Sequence, residues 1–195
     1  MIEESILLEN NRARLTILKP DGIENLINFA IEEPGIWKYS FDEIAGKENF
    51  KKYINKAINN FESGSEIPLI IYDKYANSYA GCTRFYDIKK DQKTLKIGYT
   101  WYGNSFQKTG INRHCKFLML SYALEELEMK RVAFEVNTKN EKSISSLEKL
   151  GCIKEGIMRS THYNIDGTRR DTAVYSILQG DWETGLREKI KSLLV

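Results

Sequence analysis

Apolar side chains recur along this chain at two spacings, one of three to four residues and one close to two. After Pro20-Asp21, Ile23, Leu26, Ile27 and Ala30 repeat at helical spacing, and Glu33-Pro34-Gly35 ends the run. Phe50, Tyr53, Ile54, Ala57, Ile58 and Phe61 form one face of a second helix that Ser63-Gly64 closes. A third helix is predicted from about Ile111 to Leu127, burying Ile111, Cys115, Leu118, Met119, Tyr122 and Leu127. A fourth spans about Glu141–Leu150 and stops at Gly151. Strand patterns lie between them: a short one at Arg14–Leu18, an apolar run at Ile67–Tyr72, then Ser78–Ile88 and the aromatic, β-branched stretch Thr94–Tyr102. Arg131–Val136 follows the third helix, and a hairpin of Ile153–Tyr163 with Arg169–Leu178 turns at Asp166-Gly167. The tail from Asp181 to Leu194 places Trp182, Leu186, Ile190 and Leu193 at helical spacing, weakened by Gly185.

The element order is therefore β-α-α-β-β-β-α-β-α-β-β. Strands following one another through short turns predict antiparallel pairing, and strand–helix–strand around the third helix predicts a crossover. The expected fold class is α/β, a mixed sheet with helices on both faces. With no repeat and no linker-like stretch, residues 1–195 read as one domain.

Composition narrows the functions. With 29 basic and 27 acidic residues the net charge is +2, which excludes a nucleic-acid binder that relies on overall charge. A local basic patch for an anionic ligand remains compatible with it. Two histidines, His114 and His162, are too few for a His-rich zinc site, and no Cys/His spacing or G-x-S-x-G appears, so no metal is expected. Three cysteines, none in C-x-x-C, read as free thiols of a reducing compartment. Cys115 and Cys152 sit in apolar patterns and read as packing residues. The apolar runs are too short to cross a bilayer, and the first dozen residues lack the basic start of a secretory signal. A cytoplasmic protein without membrane or nucleic-acid partners is expected.

Chemistry concentrates at Phe106–Asn112, FQKTGIN, where a strand's end feeds a helix start. Backbone N–H groups point outward at such a turn, and the helix dipole adds partial positive charge. Gly110 lets the backbone approach an anion without a Cβ in the way, and Lys108 and Arg113 add mobile positive charge. From these residues alone, a glycine-capped tight turn and a phosphate cradle both stand.

Gln107-Lys108-Thr109-Gly110-Ile111-Asn112 resembles the Q/R-x-x-G-x-G/A pyrophosphate loop of the GNAT superfamily of acyl-CoA N-acyltransferases. Ile97–Trp101 resembles that family's fourth strand, and Asn140–Cys152 its later N-x-x-S…E-x-x-G-F segment. Arg170–Leu178 is similar to the last strand of the Rim-type branch, whose members acetylate the N-termini of ribosomal proteins. The likeness covers nearly the whole chain. It implies a mostly antiparallel sheet whose fourth and fifth strands splay apart around acetyl-CoA. It implies cofactor contacts from Tyr99, Thr100 and Trp101 on the fourth strand, from Gln107, Lys108, Thr109, Gly110, Ile111 and Asn112 at the pyrophosphate, and from Asn140 and Ser143. An amine would attack the thioester directly, and a backbone N–H of the fourth strand would stabilise the oxyanion.

The chain departs from the family pattern at three places. Asn112 replaces the loop's last glycine or alanine, and its side chain is expected to point outward. Leu147 falls where many relatives carry a proton-donating tyrosine; Ser143 is the substitute that the Rim-type branch implies. Lys96 stands where a glutamate base is usual, and an ordinary lysine is cationic at neutral pH. Glu135 alternates away from Val132, Phe134 and Val136, and either faces the cleft as a base acting through water or sits on a solvated face. The preferred route dispenses with a base, because a peptide α-amine is already partly neutral at pH 7.

Trp37 and Phe41 read either as acceptor-pocket walls or as a seal on the core. His114, early in the third helix, is a candidate phosphate contact, and His162 reads as exposed. The resemblance implies acetyl transfer to a protein N-terminus or a small amine, with longer acyl donors such as succinyl-CoA open, and a homodimer. An idle coenzyme-A-binding module is the alternative, favoured by the missing tyrosine and glutamate.

Overall fold

The computed structural model describes residues 5–194, arranged around one eight-stranded sheet in the order β1-β2-β3-β4-β5-β6-β8-β7. The strands are β1 (Leu7–Glu9), β2 (Ala13–Ile17), β3 (Ile67–Asp73), β4 (Ser78–Lys89), β5 (Thr94–Tyr102), β6 (Arg131–Asn137), β7 (Ile153–Tyr163) and β8 (Arg169–Leu178). Neighbours are antiparallel except β5 and β6, the predicted crossover. β1 carries no sequence signal: it has three residues, too few for alternation to register. Asn10 builds its turn by accepting from the Arg12 and Ala13 N–H groups at 3.0 and 2.9 Å. With β1 counted, the family's fourth and fifth strands are β5 and β6.

Helices α1 (Gly22–Glu32) and α2 (Lys47–Glu62) pack on one face of the sheet, over Ile70, Cys82 and Trp101. Helices α3 (Ile111–Ser121) and α4 (Glu141–Leu150) cover the other, over Leu95, Ile97, Val132, Phe134, Val136, Ala173, Tyr175 and Ile177. The predicted third helix does not run evenly to Leu127. From Tyr122 to Glu126 the turn widens, and Leu127 N–H donates to the Tyr122 carbonyl, five residues back. The tail breaks as Gly185 foretold: Gly185 takes φ +128° between short helices α5 (Gln179–Asp181) and α6 (Arg187–Ser192).

Two irregularities shape the centre of the sheet. β5 pairs with β6 only at Thr94↔Arg131, Leu95↔Val132 and Lys96↔Ala133, after which the strands part. β6 meanwhile pairs with β8 along its full length, from Arg131↔Leu178 to Asn137↔Thr172. Against β4, Cys82 pairs with Trp101 and Arg84 with Gly98, so Thr83 faces two residues, Tyr99 and Thr100. This bulge puts Tyr99 at φ +50° and re-aims its side chain. Among the described residues, no helix is long and apolar enough to cross a membrane, and no cluster of His, Cys, Asp or Glu could hold a metal ion.

Candidate active site

The parting of β5 and β6 leaves the edge of β5 beyond Lys96 without a partner strand, and such an edge accepts an extended ligand as an added strand. At its upper end lies the 107–112 loop. Lys108 and Gly110 take φ +64° and +94°, which curls the backbone into the first turn of α3. Among the described residues, no carbonyl accepts from the N–H groups of Lys108, Thr109, Gly110 or Asn112. Thr109 Oγ1 donates to the Phe106 carbonyl at 2.8 Å and Gln107 Nε2 to the Tyr102 carbonyl at 3.2 Å, so the turn is internally braced. A Cβ at Gly110 would meet nothing within 4 Å, so the loop lies open there. Free amides at a helix start, beside exposed Lys108, suit a diphosphate. Arg113 donates instead to the carbonyl of Leu193.

Asn112 corrects an expectation. Its side chain does not point outward: it accepts from the Tyr102 hydroxyl at 3.2 Å and donates to Ser146 Oγ at 2.9 Å. A glycine or alanine there could not stitch the loop to β5 and α4. His114 differs from its expectation as well: it is 1% exposed, so its ring is not open to an anion at the surface. Asn140 caps α4, accepting from the Ser143 N–H at 3.2 Å. Ser143 is half-buried, and its hydroxyl makes no hydrogen bond among the described residues. Leu147 is buried in the apolar cluster.

The face toward α1 and α2 carries charge. Glu135 does emerge on it, opposite Phe134, but Lys96 Nζ lies 2.6 Å from Glu135 Oε1 and 3.0 Å from Asp87 Oδ2. Partial burial pulls the Lys96 ammonium down, yet its bonds to Glu135 and Asp87 outweigh this and hold it above the ordinary lysine value. Arg84 is 2% exposed; its guanidinium lies 4.5 Å from the ring centres of both Tyr53 and Tyr99 and donates to Glu66 at 2.9 Å. Tyr99 also packs edge-on against Tyr86.

Of the two aromatic candidates, Trp37 is core. It is 3% exposed and packs 5.1 Å from Trp101 and 6.0 Å from Phe50, ring centre to ring centre. Phe41 is 41% exposed, stacked on exposed His162 at 4.8 Å and on Arg170 at 4.3 Å. Arg170 donates to the Tyr39 carbonyl at 3.1 Å, and burial lowers its pKa against the pull of Glu135. Beyond the end of β6 a cavity of about 390 Å³ opens among Lys38, Tyr39, Asn137, Lys139, Asn164 and Thr168. That is within the range of small-ligand sites.

Two groups here carry little signal in the sequence. Arg170 sits in a strand pattern with nothing to mark it. Lys116 interrupts the apolar run of α3 between Cys115 and Met119, and that interruption was the available signal. It is 6% exposed and donates to Thr100 Oγ1 at 3.0 Å.

Comparison with known proteins agrees with this geometry. Residues 12–153 match the family described as acetyltransferase (GNAT) domain. A Bacillus subtilis (strain 168) protein named "Putative ribosomal N-acetyltransferase YdaF" is 27% identical over 184 residues, covering 89% of this chain and 95% of the relative. A GCN5-related N-acetyltransferase from Brucella melitensis superposes with a TM-score of 0.89 at 23% identity, over 99% of this chain and 87% of that one. The structure described as RimL, ribosomal L7/L12 alpha-N-protein acetyltransferase, superposes with a TM-score of 0.78 at 21% identity, over 90% of this chain and 96% of that one. The chain belongs to the GNAT family of acetyltransferases.

Proposed function

We propose that this protein transfers an acetyl group from acetyl-CoA to a primary amine by direct attack, and that the amine is a protein or peptide N-terminus. The observation that carries the reading is the parting of β5 and β6 after three pairs, beside a helix start where the Lys108, Thr109, Gly110 and Asn112 N–H groups meet no carbonyl among the described residues. In this reading the amides from Lys108 to Asn112 hold the diphosphate, and the free edge of β5 around Tyr99, Thr100 and Trp101 pairs with the pantetheine arm. Acetyl-CoA supplies an activated acyl carbon. A β5 N–H stabilises the oxyanion. Ser143 hydrogen-bonds the departing sulfur, and Asn140 orients its turn.

The acceptor enters from the α1/α2 side, past Phe41 and the cavity at the end of β6. Glu135, paired with Lys96, lines that entry and the amine arrives neutral. The names of YdaF and of the Rim-type structures support a ribosomal-protein N-terminus as acceptor and a cytoplasmic setting. Exposed Ile153, Ile157 and Met158 on the edge strand β7 are the surface through which a homodimer would form.

The replacements at Leu147 and Lys96 favour the alternative of an idle coenzyme-A-binding module. One experiment separates the two. Thiol release is measured with acetyl-CoA and, in turn, N-terminal peptides, polyamines and aminoglycosides. Turnover with peptides supports the proposal; binding of acetyl-CoA without thiol release from any amine overturns it.

A further inference from the structure

Position 116 lies on the side of α3 turned toward the sheet, where Cys115, Met119 and Leu120 are all buried. A methionine or leucine there would pack without bringing a charge into the core. Lys116 brings one, and among the described residues no carboxylate lies within ion-pair distance of it. A buried cation without an anionic partner costs stability, so its presence calls for a partner outside the folded chain.

The surroundings show where that partner would be. Lys116 Nζ donates to Thr100 Oγ1 on β5 at 3.0 Å and stands 5.6 Å from the centre of the Phe134 ring on β6. It therefore sits between the two strands, past the point where they part. The Thr100 hydroxyl is itself bonded to Thr83 Oγ1 at 2.7 Å, so the ammonium is held at one place. On its own helix and near the end of α4, the ionisable groups that act on it are the Cys115 and Cys152 thiols. Burial pushes both thiols up to about 12, so they stay neutral. Lys96, Asp87 and Glu135 belong to the opposite face of the sheet.

We propose that Lys116 is the acid that protonates the sulfur of coenzyme A as it leaves, an assignment that rests on the acetyl-transfer reading. The amine nitrogen bonds to the acyl carbon, and the carbon–sulfur bond breaks with its electron pair passing to sulfur. Sulfur takes a proton from Lys116 Nζ, which becomes a neutral amine. The acceptor nitrogen loses its surplus proton to water on the α1/α2 side, and Lys116 regains a proton from water after the products leave. Burial, opposed only by the two thiols, lowers the Lys116 ammonium to about 8, close to a thiol's own value near 8.5, so the transfer is nearly even in energy. A serine hydroxyl is far too weak an acid to make that transfer alone, so Ser143 serves as a hydrogen-bond donor to the sulfur.

The test follows the thiol itself. Coenzyme A bound to the full chain is titrated by the ultraviolet absorbance of its thiolate, in wild type and in Lys116→Met. An adjacent ammonium should lower the bound thiol's pKa by about one unit or more relative to free coenzyme A, and the variant should lose that shift. Turnover of Lys116→Met should fall on the order of 10²-fold with little change in KM for acetyl-CoA, and the fall of kcat above pH 8 should disappear. A wild-type thiol that titrates like the free one overturns the assignment, whether or not the variant folds. Equal thiol titrations in both proteins, with coenzyme A bound, overturn it and leave the acetyl-transfer reading standing. Failure of wild type to bind coenzyme A at all removes that reading and this assignment together.

Discussion

Lys96, at the last register position joining β5 to β6, forms an ion pair of 2.6 Å with Glu135, which lies 39 residues away in sequence and two residues past that seam on β6. The residue that replaces the usual glutamate thus occupies the alternative base. Protonating that Glu135 oxygen would break its bond to the ammonium. The reaction is then expected to follow the acceptor's own ionisation. In a pH–rate profile, Glu135→Gln should keep the acidic limb, and that limb should track the amine's pKa. Peptide α-amines should exceed lysine side chains as acceptors at pH 7 by on the order of 10²-fold, the ratio of their neutral fractions. Equal rates on both acceptors together with a dead Glu135→Gln would place the base at Glu135.

Gly110 has room for a side chain but the wrong φ for one, +94°. Gly110→Val should fold and weaken acetyl-CoA binding by roughly tenfold or more, because a β-branched residue abandons that conformation. Gly110→Asn, which tolerates positive φ, should lose much less. Isothermal calorimetry on the two variants decides whether the loop's shape matters to the cofactor.

Asn112 makes two side-chain hydrogen bonds that join three elements. Asn112→Ala should lower the free energy of unfolding by about 1–2 kcal/mol in urea denaturation, about 1 kcal/mol for each bond lost. A neutral result would mean that Tyr102 and Ser146 find water instead.

Ser143→Ala removes the hydroxyl proposed to donate to the sulfur while leaving the α4 cap intact, since the cap uses Ser143's backbone N–H. Steady-state kinetics should show kcat falling by roughly tenfold, about 1.4 kcal/mol, with a smaller change in acetyl-CoA affinity. An unchanged kcat would leave Ser143 only its place in the capped turn.

Glu155 is held down to about 2 by the Arg131 guanidinium, helped by the Ser176 hydroxyl and opposed by slight burial. A carboxylate depressed on folding lends stability above its unfolded value of 4.5, and that stability is lost as pH falls toward 2. Melting temperatures should therefore drop between pH 5 and pH 2, and Glu155→Gln should flatten part of that drop. Parallel curves for the two proteins would count against the pair's contribution.

The helices and long strands were legible because their apolar periods persist over many residues, as in Phe50–Phe61 and Thr94–Tyr102. The 107–112 loop is legible because its positive φ favours glycine at 110. What escaped depends on register or on distant partners. No local pattern tells that Lys96 meets Glu135, since parallel register is set through the whole crossover. Trp37 and Phe41 lie four residues apart in one loop, yet one fills the core under α1 and α2 and the other stays exposed on His162 and Arg170. Lys116 is a single charge inside the apolar face of α3, and nothing local tells whether its ammonium reaches solvent or stays buried.

Three residue pairs are a short seam for an eight-stranded sheet. Mechanically, the sheet is two panels, β1 to β5 and β6 with β8 and β7, hinged at Lys96. Next to that seam the Lys130 N–H donates to the Lys93 carbonyl, and further ties run through the covering layers, such as Arg170 on Tyr39 and Asn112 of α3 on Ser146 of α4. A pantetheine arm seated along β5 would add rungs on the open side of the hinge. Hydrogen exchange in the free protein should then show the edge of β5 from Ile97 to Tyr102 opening ahead of the strands on either side. With coenzyme A bound, those amides should slow until both panels open together.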